Sequence, residues 1–143
     1  MKKLLFLPFL FLLFTGCQDK SSTNGASEMH WDRDLCARCV MVLSDRKNSV
    51  QIQTKKPQKT YKFDDLGCMA VWMRENNLDD AKDIKIWVTD VKSGEWIDAK
   101  KAFYTSGNTT PMGYGFSAYK SKSEIDKSKK IYTFDEMYKE LLK

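Results

Sequence analysis

The chain contains 143 residues, of which 42% are apolar and 30% charged, a composition typical of a soluble globular protein with one domain or two very small ones. Its net charge of +5 comes from basic residues spread along the sequence, which argues against a nucleic-acid-binding protein. A single histidine leaves a histidine-based zinc hydrolase or a Ser-His-Asp enzyme without its usual residues.

The N-terminal sequence is typical of an export signal. The basic pair Lys2-Lys3 precedes an apolar run over residues 4–14, which is too short to span a bilayer as a folded helix. Residues 14–17, Phe-Thr-Gly-Cys, resemble the bacterial lipobox, in which a peptidase cuts before a cysteine that receives a lipid. We therefore predict a signal peptide over residues 1–16 and lipidation of Cys17.

The lipobox also predicts where the mature protein resides. A lipid on Cys17 would anchor the protein to a bacterial membrane, facing the periplasm. Gln18 stands where an Asp would retain a lipoprotein at the inner membrane of enteric bacteria, so the outer membrane is slightly favoured. Polar residues 17–28 then form a flexible lipidated tether.

Short strands and one helix are predicted in the first half. Strands are indicated at residues 39–43, 50–54, 61–63 and 84–88, most of them by alternation of apolar and polar residues. From Leu66, apolar residues at i, i+3, i+4 and i+7 predict a helix, with Asp64 as its N-cap.

The second half repeats this pattern. Strands are predicted at residues 95–97, 102–104 and 131–132, and Thr133 with Glu136 forms a capping box for a final helix. The segment Tyr61-x-Phe63-Asp64-Asp65 recurs 71 residues later as Tyr132-x-Phe134-Asp135-Glu136, and Met41 falls on Met112 at the same offset. Helix caps resemble one another by chance, but a duplication accounts for both matches. We predict an α+β fold of two related ββαβ units, residues 29–92 and 93–143, packed as one compact body.

Sulfur-containing residues dominate the candidate chemistry. Cys36 and Cys39 lie close to Met41 and to the only histidine, His30. Soft thiolate and thioether ligands select Cu(I) over hard ions. Cys39 and Met41 are two residues apart, so in a strand their side chains leave the same face. This spacing makes the pair a candidate Cu(I) site.

Other interpretations of the cysteines remain open. A structural zinc site usually has four ligands, from two Cys pairs or from Cys and His. Beyond the predicted lipidation site, the chain has one Cys-x-x-Cys, the single Cys68 and one histidine. Cys36 and Cys39 have the spacing of a periplasmic thiol-disulfide oxidoreductase. They could equally form a structural disulfide, which small exported domains often use. That disulfide would leave Cys68, whose position beside an apolar helix face favours an inert buried thiol.

The ordered motifs resemble the NosL family of copper-binding lipoproteins that serve nitrous oxide reductase. They are the lipobox, Cys36-x-x-Cys39-x-Met41, Phe63-Asp64-Asp65-Leu66-Gly67-Cys68 and Thr110-Pro111-Met112-Gly113-Tyr114-Gly115. The resemblance covers nearly the whole mature chain. It implies a non-enzymatic Cu(I) chaperone for denitrification, whose partner is nitrous oxide reductase or its copper-assembly membrane complex.

The resemblance carries copper binding onto Cys39 and Met41. Many family members have Gly where this chain has Val40, and some lack a counterpart of Cys36. One thiolate with thioethers would release copper more readily than two thiolates. We therefore expect Met112 or His30 to complete the site, with Cys36 as an auxiliary or exchange thiol.

Overall fold

The computed structural model describes residues 24–143, so the predicted signal peptide, Cys17 and residues 17–23 lie outside the described part. Within residues 24–143 no helix is long and apolar enough to cross a membrane. The described part contains six strands and two helices: β1 (Val50–Lys55), β2 (Gln58–Phe63), α1 (Leu66–Glu75), β3 (Ile84–Thr89), β4 (Trp96–Asp98), β5 (Phe103–Thr105), β6 (Ser117–Tyr119) and α2 (Phe134–Leu141).

The larger sheet is antiparallel, with strand order β2-β1-β3-β4. Ile52 on β1 lies opposite Tyr61 on β2 and Ile86 on β3, so one face of the sheet is apolar. Residues of α1 join this face in one core, among them the fully buried Met69. The apolar residues that alternate along the strands and those that form the stripe on α1 therefore pack in the same core.

The second half contains a smaller sheet in which β5 pairs with β6. Tyr104 on β5 also bridges Tyr132, just before α2 begins, and a parallel bridge between Asp90 and Ala118 joins the two sheets. The predicted α+β class is confirmed. The order of elements in the second half differs from ββαβ, because β4 joins the first sheet and, within residues 24–143, no strand follows α2.

The first predicted strand is replaced by a narrow hairpin. Instead of a strand at residues 39–43, the structure has an isolated bridge between Leu35 and Val42. The amide N–H of Asp32 donates to the carbonyl of Leu43 at 2.9 Å, and that of Leu43 donates to Asp34 at 2.9 Å. The hairpin presents the Cys36–Met41 loop at its end.

Residues 24–28, predicted to belong to the flexible tether, lie across the sheet. The buried side chain of Gln51 accepts from the Ser27 N–H at 2.9 Å and donates to the Ser27 carbonyl at 2.9 Å. Asn24 donates to the Trp96 carbonyl at 3.1 Å, and the Ser27 hydroxyl bonds that of Thr60. Five residues of the predicted tether are therefore part of the folded body.

Replacing Gln51 by Leu should lower the free energy of unfolding by about 1–3 kcal/mol, because two hydrogen bonds to the half-buried backbone of Ser27 are lost, each worth about 0.5–1.5 kcal/mol. Urea unfolding of the protein is the measurement. Gln58→Leu is the control, because Gln58 is exposed on the neighbouring strand and its loss should cost less than about 0.5 kcal/mol. Equal loss in both variants would contradict the role given to Gln51.

Candidate metal centre

Three cysteines and one aspartate converge beside the first turn of α1. Cys36, Cys39, Asp64 and Cys68 each offer one ligand atom, and these atoms all lie within 4.8 Å of one another. A metal–thiolate bond is about 2.3 Å long, so two sulfurs on one ion lie at most about 4.6 Å apart. The four side chains therefore form a compact cluster into which one metal ion fits with small adjustments.

The loop that carries Cys36 and Cys39 is fixed by backbone hydrogen bonds. The Ala37 N–H donates to the Lys62 carbonyl on β2 at 2.7 Å, and the Cys36 N–H donates to the Met41 carbonyl at 2.8 Å. The Val40 N–H donates back to the Cys36 carbonyl at 3.0 Å, which closes a tight turn around both cysteines. The turn thus holds the two thiols next to β2 and α1.

Val40 has an unusual backbone conformation. Its φ is +63°, in the left-handed region that favours glycine, and its side chain is 66% exposed. A β-branched residue there is strained, because its Cβ crowds the neighbouring carbonyl. No burial of the Val40 side chain offsets this strain.

The remaining two members come from the junction of β2 and α1. Asp65 caps α1 by accepting the Gly67 N–H at 3.1 Å, so the prediction of Asp64 as the cap is wrong by one residue. Asp65 is extended, with φ −152° and ψ 146°. Asp64 instead faces the cluster, where the Cys39 thiol lies 3.5 Å and 3.6 Å from its two oxygens.

The cluster concentrates its negative charge on Cys36. Its pKa is lowered to about 4, chiefly because the Cys68 thiol donates to it, and backbone N–H groups of Cys39, Asp64 and Arg38 add to this against the effect of burial. The pKa of Cys68 is raised by its bond to Cys36 and by burial. Burial and the neighbouring Cys36 raise the pKa of Cys39 to about 11. A metal that binds all three thiolates therefore displaces protons.

Asp64 shares this environment. Burial and the negative Cys36 raise the pKa of its carboxyl group. In a metal site its carboxylate would be the one hard oxygen ligand beside three soft sulfurs.

The other sequence-predicted ligands lie nearer the surface. Met41 and Met112 are 53% and 37% exposed, unlike Cys36 and Cys68, which are 2% and 0% exposed. The His30 side chain is exposed, and its Nδ1 lies 3.6 Å from a carboxylate oxygen of Asp34. His30 does not belong to the cluster of ligand atoms found among the described residues.

The structure thus brings together Cys36 and Cys39, which the sequence had proposed, with Cys68 and Asp64, which it had not. Cys68 is indeed buried, but it lies within the ligand cluster and is not isolated in the core. The proximity of Asp64 and Cys68 in one motif was the available signal. Among the described residues, all three cysteines are free thiols.

Comparison with known proteins identifies the family. A family model described as NosL matches residues 29–142. The chain belongs to the NosL family. A search of curated proteins found no match.

The fold of this NosL protein is also found in a solved structure. The crystal structure of the copper chaperone NosL from Shewanella denitrificans matches with a TM-score of 0.60 and 19% sequence identity. The match covers 78% of this chain and 94% of that one. Membership of the family agrees with the expectation that the protein is not an enzyme.

Replacing Val40 by Gly should raise the free energy of unfolding by about 1 kcal/mol, because glycine adopts a positive φ without the crowding of a Cβ atom. Thermal or urea unfolding of the metal-free protein is the measurement. Val42→Gly is the matched control and should destabilise, since Val42 takes part in the bridge with Leu35. A loss of stability in Val40→Gly would argue against strain at this position.

Proposed function

We propose that the protein is a periplasmic copper chaperone that binds Cu(I) at the cysteine cluster and delivers it to nitrous oxide reductase. The observation that carries the proposal is the convergence of three free thiols within 4.8 Å of one another. Soft thiolates stabilise Cu(I), and three of them suffice for a trigonal site. Membership of the NosL family supports copper as the metal.

The ligand set differs from the one favoured by sequence. The geometry supports Cys36, Cys39 and Cys68 as the thiolate ligands, with Asp64 beside them. The side chains of Met41 and Met112 are more exposed than those of Cys36 and Cys68, at 53% and 37%. His30 forms an exposed contact with Asp34 and has no place in this proposal.

A chaperone must release its metal, and burial defines the direction of release. Cys36 and Cys68 are almost fully buried, whereas Cys39 is half-buried and is followed by exposed Val40 and Met41. An acceptor can therefore reach the ion from the side of Cys39. Its sulfur ligands would replace those of the chaperone one at a time, so that the ion is never bare.

A thiol-disulfide oxidoreductase is less consistent with this site. Such enzymes attack with an accessible thiolate of low pKa. The thiol of low pKa here is Cys36, and its side chain is only 2% exposed. The protein also belongs to the NosL family, which is not an enzyme family.

The cellular setting follows from the N-terminus. Lipidation of Cys17 would hold the chaperone at a membrane, facing the periplasm, with the outer membrane slightly favoured. The resemblance to NosL implies delivery of copper to the centres of nitrous oxide reductase in that compartment. The acceptor is then the reductase or its copper-assembly membrane complex.

Competition with a chromophoric Cu(I) chelator tests the ligand set under reducing conditions. Cys36→Ser, Cys39→Ser and Cys68→Ser should each weaken Cu(I) binding by at least about tenfold, because each removes a thiolate. His30→Ala is the control and should bind like the unmodified protein. Unchanged affinity in Cys68→Ser would remove that residue from the site.

Copper transfer tests the client. The copper-loaded chaperone should restore activity to copper-free nitrous oxide reductase, alone or with its assembly complex, at copper concentrations where a chelator blocks free copper. Cys39→Ser should fail in this assay. Transfer to an unrelated periplasmic copper enzyme, but not to this reductase, would contradict the proposed client.

A further inference from the structure

One buried carboxylate, that of Asp65, connects the start of α1 to the loop that carries Met112. Asp65 is fully buried, and its two oxygens bind different segments. One oxygen accepts the Gly67 N–H at the start of α1, at 3.1 Å. The other accepts the Thr110 hydroxyl at 2.7 Å and the Met112 N–H at 3.0 Å. Asp65 therefore ties the helix that carries Cys68 to the loop that carries Met112.

The same loop is seated on α1 by a second contact. The ring of Tyr114 packs so closely on Gly67 that a Cβ atom there would lie 1.9 Å from the Cγ of the ring. The Thr110 hydroxyl also accepts the Gly115 N–H at 3.0 Å, which closes the loop on itself. Residues 110–115, which we call the methionine loop, thus rest on the first turn of α1, next to Cys68.

We infer that Asp65 is a positioning residue that holds the Met112 thioether at the mouth of the cysteine cluster, where it takes part in binding Cu(I). The inference rests on the proposed function. The hydrogen bond goes to the backbone of Met112 itself, so a displacement at Asp65 moves the base of the thioether side chain. Met112 is 37% exposed, so an ion held there is accessible to an acceptor.

The role requires a carboxylate. Asp65 accepts three hydrogen bonds, from Gly67, Thr110 and Met112. Asparagine has the same shape, but one of its two terminal atoms is a donor. Asp65→Asn can therefore keep the helix cap, whereas its amide nitrogen would face the two donors of the methionine loop and release that loop.

A double-mutant cycle tests the inference. Asp65→Asn and Met112→Leu should each weaken Cu(I) binding by about tenfold, the lower end for groups that orient a metal ligand. The double variant should bind no more weakly than Met112→Leu alone. X-ray absorption should show the same loss of one long Cu–S contact in both single variants. Thr133→Ala, which removes the N-cap of α2, is the control and should leave copper binding unchanged.

Three results would overturn the inference. They are unchanged affinity in Asp65→Asn, unchanged affinity in Met112→Leu, and a double variant weakened by the product of the two single effects. If Asp65→Asn does not fold, Thr110→Val replaces it in the cycle, because it removes one of the loop's bonds to Asp65 and leaves the helix cap intact. The cysteine variants test the proposed function separately, since they do not involve Met112.

Discussion

Two consecutive carboxylates at the junction of β2 and α1 organise the site. The extended backbone at Asp65 sends its side chain and that of Asp64 in different directions. Asp64 faces the thiol of Cys39, while Asp65 starts the helix and holds the methionine loop. If this junction shifted by one residue, α1 would lose its N-cap, the methionine loop would lose its bonds to Asp65, and the Cys39 thiol would lose its contact with Asp64.

The electrostatics of the cluster disfavour three thiolates together unless a cation is bound. The Cys68 thiol, together with backbone N–H groups, stabilises one thiolate, Cys36. The bond to Cys36 and burial keep Cys68 protonated in the metal-free protein, and burial keeps Cys39 protonated. Three thiolates together in a buried site would repel one another strongly. A bound cation neutralises part of that charge and replaces the protons. The fold therefore prepares the sulfur positions in advance, and the metal supplies the charge that makes full ionisation favourable.

Local sequence patterns were sufficient for the regular elements. Alternation predicted β1 and β3, and the apolar stripe from Leu66 predicted α1 with its buried Met69 and Met73. The capping box of Thr133 and Glu136 is present at the start of α2. These features depend on neighbours within a few residues, which the sequence displays directly.

Contacts between residues far apart in the sequence could not be predicted from local patterns. The hydrogen bonds between Gln51 and Ser27 hold residues of the predicted tether against the sheet. The sequence of residues 24–28 alone does not predict these bonds. Asp65 caps α1 in place of the predicted Asp64, whose carboxylate lies against the Cys39 thiol. Cys68 looked like a core residue because the helix stripe cannot show which loop, 29 or more residues earlier, will pack against it. The resemblance to NosL compensated in part, by linking motifs that the fold brings together.

The most direct test of the account is X-ray absorption of the Cu(I)-loaded protein together with its three cysteine variants. The account predicts three short Cu–S contacts of about 2.3 Å, typical of metal–thiolate bonds, and the loss of one such contact in each of Cys36→Ser, Cys39→Ser and Cys68→Ser. A site with a single short contact from Cys39 and longer thioether contacts, unchanged in Cys36→Ser and Cys68→Ser, would contradict it.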